Sequence, residues 1–173
     1  MPKNIQHCTT DVGSFNKEKY FEVCALKLNI LSISFTIICI YRSPTGNFLY
    51  FINQLESILN KIYKSSSELI LCGDFNINYL NNSSRKYLLN SLLASFNLFS
   101  SIKFPTRISN NSTALIDNIF INIYRHEFVV HPLINGLSDQ ILTLTKFSYL
   151  LQDKYLYLPE KLITTQLVIL YTY

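Results

Sequence analysis

Apolar and polar positions along the chain change period several times, and each change marks an element. Residues 20–28 (YFEVCALKL) alternate like a half-buried strand, and residues 33–41 (ISFTIICIY) are richer in β-branched side chains, as a more buried strand would be. A hairpin with its turn near Asn29 to Ser32 joins them in this reading. Pro44 and Gly46 end the extended run. Phe48, Phe51, Ile52, Leu55, Ile58, Leu59 and Ile62 then recur at helical spacing, which predicts a helix near 48–64 with Asn47 as its N-cap. Glu68 to Asp74 (ELILCGD) is a short apolar run typical of a strand covered on both faces. A second helix is predicted over 84–96, with Leu88, Leu89, Leu92, Leu93 and Phe96 inward. Pro105, Thr106 and the Asn110-Asn111-Ser112 cluster mark a loop. Residues 114–123, 126–131 and 141–147 read as strands, the last of these closing the domain. Residues 1–19 show no period and read as an irregular lead-in, and residues 148–173 as a divergent tail. Strands interleaved with helices argue for an α/β layered fold with a mixed sheet over residues 20–147.

Composition narrows the class. Charged residues make up 15% of the 173, hydrophobic ones 49%, against about 25% charged in an average domain. Disorder is excluded, and the length suffices for one domain with a sizeable core. The formal net charge of +4 permits a polyanionic partner without demanding one. The longest apolar stretch, Leu28 to Tyr41, is interrupted by polar residues and falls short of the ~20 residues of a membrane helix. With Met1 to Asp11 polar, no leader is visible, and an intracellular, nuclear or cytoplasmic location is expected. Cys24, Cys39 and Cys72 each sit in an apolar run and read as buried structural thiols; a disulfide framework or zinc site is not expected.

Three acidic segments stand at strand ends, where functional groups gather in α/β folds. In Gly73-Asp74-Phe75-Asn76, extended backbone would point Asp74 and Asn76 to one side and Phe75 into the core. A carboxylate beside a carboxamide suits a hard cation or an attacking water, although the same residues also make an ordinary turn. In Leu115-Ile116-Asp117-Asn118-Ile119-Phe120 the carboxylate interrupts an apolar run and needs a partner if buried. Leu137-Ser138-Asp139 precedes the final strand and, alone, is a turn.

Taken in order, Tyr41-Arg42-Ser43-Pro44, Gly73-Asp74-Phe75-Asn76, Phe104-Pro105-Thr106-Arg107, Leu115 to Phe120 and Leu137-Ser138-Asp139 resemble the apurinic-like endonuclease domain of non-LTR (LINE-type) retrotransposons, a branch of the endonuclease/exonuclease/phosphatase superfamily. The resemblance implies a four-layer α/β sandwich, two mixed β-sheets flanked by helices. It also implies Mg²⁺-dependent cleavage of DNA that leaves a 3′-hydroxyl to prime reverse transcription. By motif match, Tyr41 contacts the reacting phosphate, Asp74 orients or deprotonates the water, and Asn76 binds phosphate or water. Asp117 orients a catalytic His, and Asp139 lies next to the metal, which it, Asp74 and Asn76 would hold weakly. Arg42 and Arg107 would contact DNA phosphates, in competition with a reading as plain surface arginines. His126 and His131 match no motif position and read as structural or surface residues.

Two departures stand out. The family's Ser-Asp-His reads Ser138-Asp139-Gln140 here, and Gln cannot act as an imidazolium. Nothing before Tyr20 matches the family's first Asn strand or its metal-binding Glu, so a domain incomplete at its N-terminus is expected. The leading reading is a catalytically impaired copy of a retrotransposon nuclease domain. A non-catalytic nucleic-acid-binding remnant and a non-functional translated fragment are the alternatives.

Overall fold

The structure, a computed structural model, describes residues 5–30, 33–64, 68–109, 111–122, 127–133, 142–150 and 162–169. Strands β1 (Ile5–Thr10), β2 (Phe21–Ile30), β3 (Ile33–Arg42), β4 (Glu68–Asp74), β5 (Phe99–Ser100) and β8 (Asp117–Ile121) form one mixed sheet in the order β1-β2-β3-β4-β8-β5. Only β3 and β4 run parallel, because helix α1 (Phe48–Ile62) carries the chain back between them. Strands β6 (Arg107–Ser109) and β7 (Ser112–Ala114) make a small hairpin, and β9 (Glu127–Leu133), β10 (Leu142–Leu150) and β11 (Leu162–Ile169) a separate antiparallel sheet. Helix α2 (Ser84–Ser95) lies between β4 and β5 in sequence. The α/β sandwich character expected from the sequence is present.

The core forms where α1 lays its apolar stripe on the sheet. Phe51, Leu55, Ile58 and Leu59 are buried together with Phe21, Val23 and Ala25 of β2 and Ile38 and Ile40 of β3. Phe51 meets Phe21 and Phe75 edge-to-face, at 5.7 and 6.4 Å between ring centroids, a geometry that adds to area burial. The Asn47 side chain accepts the Tyr50 N–H at 3.0 Å, so the expected cap is in place. From Leu69 on, β4 is buried throughout, as its unbroken apolar run requires.

Several expectations are corrected. Residues 5–10 are not irregular: β1 pairs along its whole length with β2. It showed no period because it is an edge strand with Gln6, His7, Cys8 and Thr9 all exposed, so neither face needs apolar residues. The predicted strand over 114–123 splits, because Ser112–Ala114 folds back on Arg107–Ser109 before Asp117 opens β8. β10 does not close the chain's regular structure; β11 pairs with it from within the segment read as a tail. In α2 only Leu89 and Leu93 are fully buried, whereas Leu88 is 42% exposed. The helix rests on one narrow i, i+4 edge, completed by Tyr79, whose hydroxyl donates to Asn90 Oδ1.

Candidate active site

Register brings the site together. Tyr41 on β3 pairs with Asp74 on β4, and Asp74 pairs with Asp117 on β8. Three candidates far apart in sequence thus occupy adjacent places on adjacent strands, at the end of the sheet where β3 and β4 finish. Asp74 and Asp117 are buried, and Tyr41 is half-buried.

Gly73 makes this approach possible. Its φ of +146° lies in a region closed to most side chains, and a Cβ there would stand 1.8 Å from the Ile40 carbonyl oxygen. After Asp74 the chain turns sharply. Asn76 has φ +49°, so the extended geometry that would place it on the same side as Asp74 does not hold. The two meet through the turn instead, the Asn76 N–H donating to Asp74 Oδ1 at 2.8 Å. Phe75, as expected, is wholly buried.

Arg42 departs most from expectation. It is 1% exposed and therefore not a surface group facing DNA. Its Nε donates to the Phe75 carbonyl at 2.6 Å and its Nη2 to the Asn76 carbonyl at 2.9 Å, while Asn76 Nδ2 donates back to the Arg42 carbonyl at 2.8 Å. The guanidinium lies 5.8 Å from the Phe48 and Phe51 ring centroids. Arg42 clamps the turn that follows Asp74. Its pKa is lowered by burial and by the charge of Arg85.

Two carboxylates facing each other across neighbouring strands repel. Burial, with the charge of Asp74, pushes Asp117 up to about 6. Burial also raises Asp74, against the opposing pull of the Asn76 N–H, Arg42 and Arg107. Thr106, fully buried, is the residue that sequence reasoning passed over. Its Oγ1 accepts the N–H groups of Ile116 (3.2 Å) and Asp117 (3.1 Å), and its hydroxyl hydrogen-bonds the Asp117 carboxylate. The signal was present in Phe104-Pro105-Thr106-Arg107, where the charged neighbour overshadows the hydroxyl. Arg107 is exposed, and its charge reaches both carboxylates.

Asp139 and Gln140 lie outside the described residues, as does His126 and the side chain of His131. Among the described residues no cluster of three or more His, Cys, Asp and Glu is placed to hold a metal ion. The donors that are present, two carboxylates and a carboxamide, fit a hard divalent cation in kind. The repulsion between the Asp74 and Asp117 carboxylates is what such a cation would relieve.

Comparison with known proteins gives the chain a family and a fold. A family model described as endonuclease-reverse transcriptase matches residues 35–139. No curated protein sequence matches the chain. Among solved structures, the endonuclease domain of TRAS1, a telomere-specific non-LTR retrotransposon, is similar at a TM-score of 0.65 and 13% identity, over 80% of this chain and 64% of that one. An endonuclease/exonuclease/phosphatase family protein from Leptotrichia buccalis is similar at 0.54 and 18% identity, over 86% and 62%. A 3′ phosphatase from Neisseria, bound to product DNA hairpin, is similar at 0.53 and 12% identity, over 86% and 72%. The chain thus spans under two thirds of the length of the first two, at 64% and 62%. Members of this superfamily generally depend on divalent metals. No helix among the described residues is long and apolar enough to cross a membrane. With more than half its length matched, this chain belongs to the endonuclease-reverse transcriptase family and carries the endonuclease/exonuclease/phosphatase fold.

Proposed function

We propose that the chain is the phosphodiester-cleaving part of a retrotransposon-derived nuclease, acting on DNA with Mg²⁺, in a copy slowed by Gln140. The observation that carries the reading is the adjacency of Tyr41, Asp74 and Asp117 in register, with Asp117 raised to about 6. In-line attack at phosphorus needs a positioned water, a base to take its proton, and donors facing the phosphoryl oxygens. In this reading Asp74, held by the Asn76 N–H, orients and deprotonates the water. On the same reading the Tyr41 hydroxyl donates to a phosphoryl oxygen and Arg107 meets the DNA backbone. Asp117, held by Thr106, supplies the carboxylate that would orient an imidazole. Gln140 offers no imidazole at the matching position. Asp74 and Asn76, with Asp139, would hold the cation, which when bound offsets charge on the phosphoryl oxygens.

Relaxation of supercoiled plasmid in Mg²⁺ tests this reading. The chain is expected to nick slowly and Gln140→His to nick about 10²–10⁴-fold faster, the usual worth of one general acid–base group. Asp74→Ala in the Gln140→His background is expected to abolish the gain. A Gln140→His chain no faster than the parent, though it binds DNA equally well, would favour a binding remnant instead.

A further inference from the structure

Three of the four cysteines fall in line across the sheet. Cys24 stands opposite Cys39 across the antiparallel β2–β3 pair, and Cys39 opposite Cys72 across the parallel β3–β4 pair. The Cys39 and Cys72 Sγ atoms are 3.6 Å apart, and Cys39 is close enough to Cys24 to influence its thiol. Exposure falls along the row. Cys24 is exposed, against the sequence expectation of a buried thiol; Cys39 is half-buried and Cys72 buried. The fourth, Cys8, is exposed on β1 beside Lys27 and outside the row.

Paired residues on antiparallel strands have Cα atoms about 4.5–5.5 Å apart, and neighbouring strands of either sense lie about 4.7–4.9 Å apart. A disulfide spans about 4.4–6.8 Å. Either link in the row therefore closes by side-chain rotation, without moving a strand. From these positions we propose that Cys24, Cys39 and Cys72 form a thiol–disulfide relay, entered at Cys24 by a two-electron oxidant such as a peroxide and ending at the buried Cys72.

The steps balance. Hydrogen peroxide transfers one oxygen to the Cys24 sulfur, leaving Cys24 as a sulfenic acid and releasing one water. The Cys39 sulfur attacks the Cys24 sulfur, the S–O bond breaks, and the hydroxyl leaves with the Cys39 proton as a second water. Cys72 then attacks the Cys39 sulfur; Cys24 departs as the thiol, taking up the Cys72 proton. Overall two thiols are oxidised to one disulfide and one peroxide is reduced to two waters.

Partial desolvation of the otherwise exposed Cys24, with the neighbouring Cys39, raises its thiol above its ordinary pKa, and hydrogen bonding with Cys72 raises that of Cys39. The thiolate is the nucleophile, so the relay runs slowly at neutral pH and faster in alkali. Contact between neighbours works the other way, since positioned groups react at effective concentrations far above those of free thiols. The relay does not depend on the nuclease reading.

The test exposes the full chain to hydrogen peroxide at about pH 7 and about pH 9, traps free thiols by alkylation, and maps peptides without reduction. A Cys24–Cys39 link is expected first and a Cys39–Cys72 link later, both faster at the higher pH, with Cys8 in no intramolecular link. Cys72→Ser or Cys72→Ala should halt the sequence at Cys24–Cys39. Cys24→Ser, an exposed change, should slow Cys39–Cys72 formation about tenfold or more. Oxidation of Cys24 to sulfinic acid with no link between these peptides would overturn the proposal. So would a Cys39–Cys72 link that forms as fast in Cys24→Ser as in the parent chain.

Discussion

Replacing Arg42 by Met separates two accounts of this residue. A surface arginine that touches DNA would change stability by no more than about 0.5 kcal/mol when removed. It would also lower the salt dependence of DNA binding by about one counterion. The structure gives Arg42 different work: its guanidinium donates to the Phe75 and Asn76 carbonyls while 1% exposed. Arg42→Met fills the space over Phe48 and Phe51 but leaves both carbonyls short of a donor, at about 1–3 kcal/mol each. Against this, a desolvated charge is removed, and Nη1, buried with no partner, goes with it. Carbonyls left unpaired outweigh that relief, so a net loss of about 2–4 kcal/mol is expected. Arg42→Lys keeps the charge but not the forked donors, and should recover at most part of the loss. Urea denaturation of the three chains reads the difference. The salt slope of DNA binding should be unchanged in Arg42→Lys and reduced in Arg107→Ala. An Arg42→Met chain as stable as the parent, with a shallower salt slope, would refute the clamp.

Gly73→Ala puts a Cβ 1.8 Å from the Ile40 oxygen at φ +146°, and should cost about 3 kcal/mol or more, or prevent folding, as soluble yield and urea midpoint will show. Thr106→Val leaves the Ile116 and Asp117 N–H groups without their acceptor; about 2–3 kcal/mol should be lost, with Thr106→Ser close to the parent. Asp117→Asn should stabilise the chain at neutral pH. Since Asp117 is raised to about 6, the folded parent binds a proton that the unfolded chain releases near pH 4. The parent therefore loses stability as pH rises from about 4 to about 6, at roughly 1.4 kcal/mol for each pH step of one. The advantage of Asp117→Asn should open over that window and vanish below it, as urea midpoints measured across it will show.

What the sequence revealed follows from how local each signal is. Helix α1 was legible because one wide apolar stripe and an Asn cap agree over 15 consecutive residues. β4 was legible because a strand buried on both faces can only be apolar. β1 was not, since an exposed edge strand owes its existence to β2, which lies beyond any short window. In α2 the exposed Leu88 and the partly buried Leu92 widened the apparent stripe, and full burial selected Leu89 and Leu93. The candidate carboxylates were recognised from their strand-end positions, but the pairing of Asp74 with Asp117 is a matter of register between strands 43 residues apart. Arg42 was misplaced although alternation held the clue: next to Tyr41 on a strand, it must face the other way, toward α1.

Asp74 and Asp117 form one site beside Tyr41 only if the two carboxylates interact. The most direct measurement is the titration of the Asp117 carboxyl by carbon NMR, in the parent chain and in Asp74→Asn, with and without Mg²⁺. The parent should titrate near the value of about 6 that burial and Asp74 impose. It should titrate lower in Asp74→Asn, and lower again in the parent when Mg²⁺ is added. An Asp117 that titrates in the ordinary carboxylate range in both chains, unmoved by Mg²⁺, would contradict a shared site.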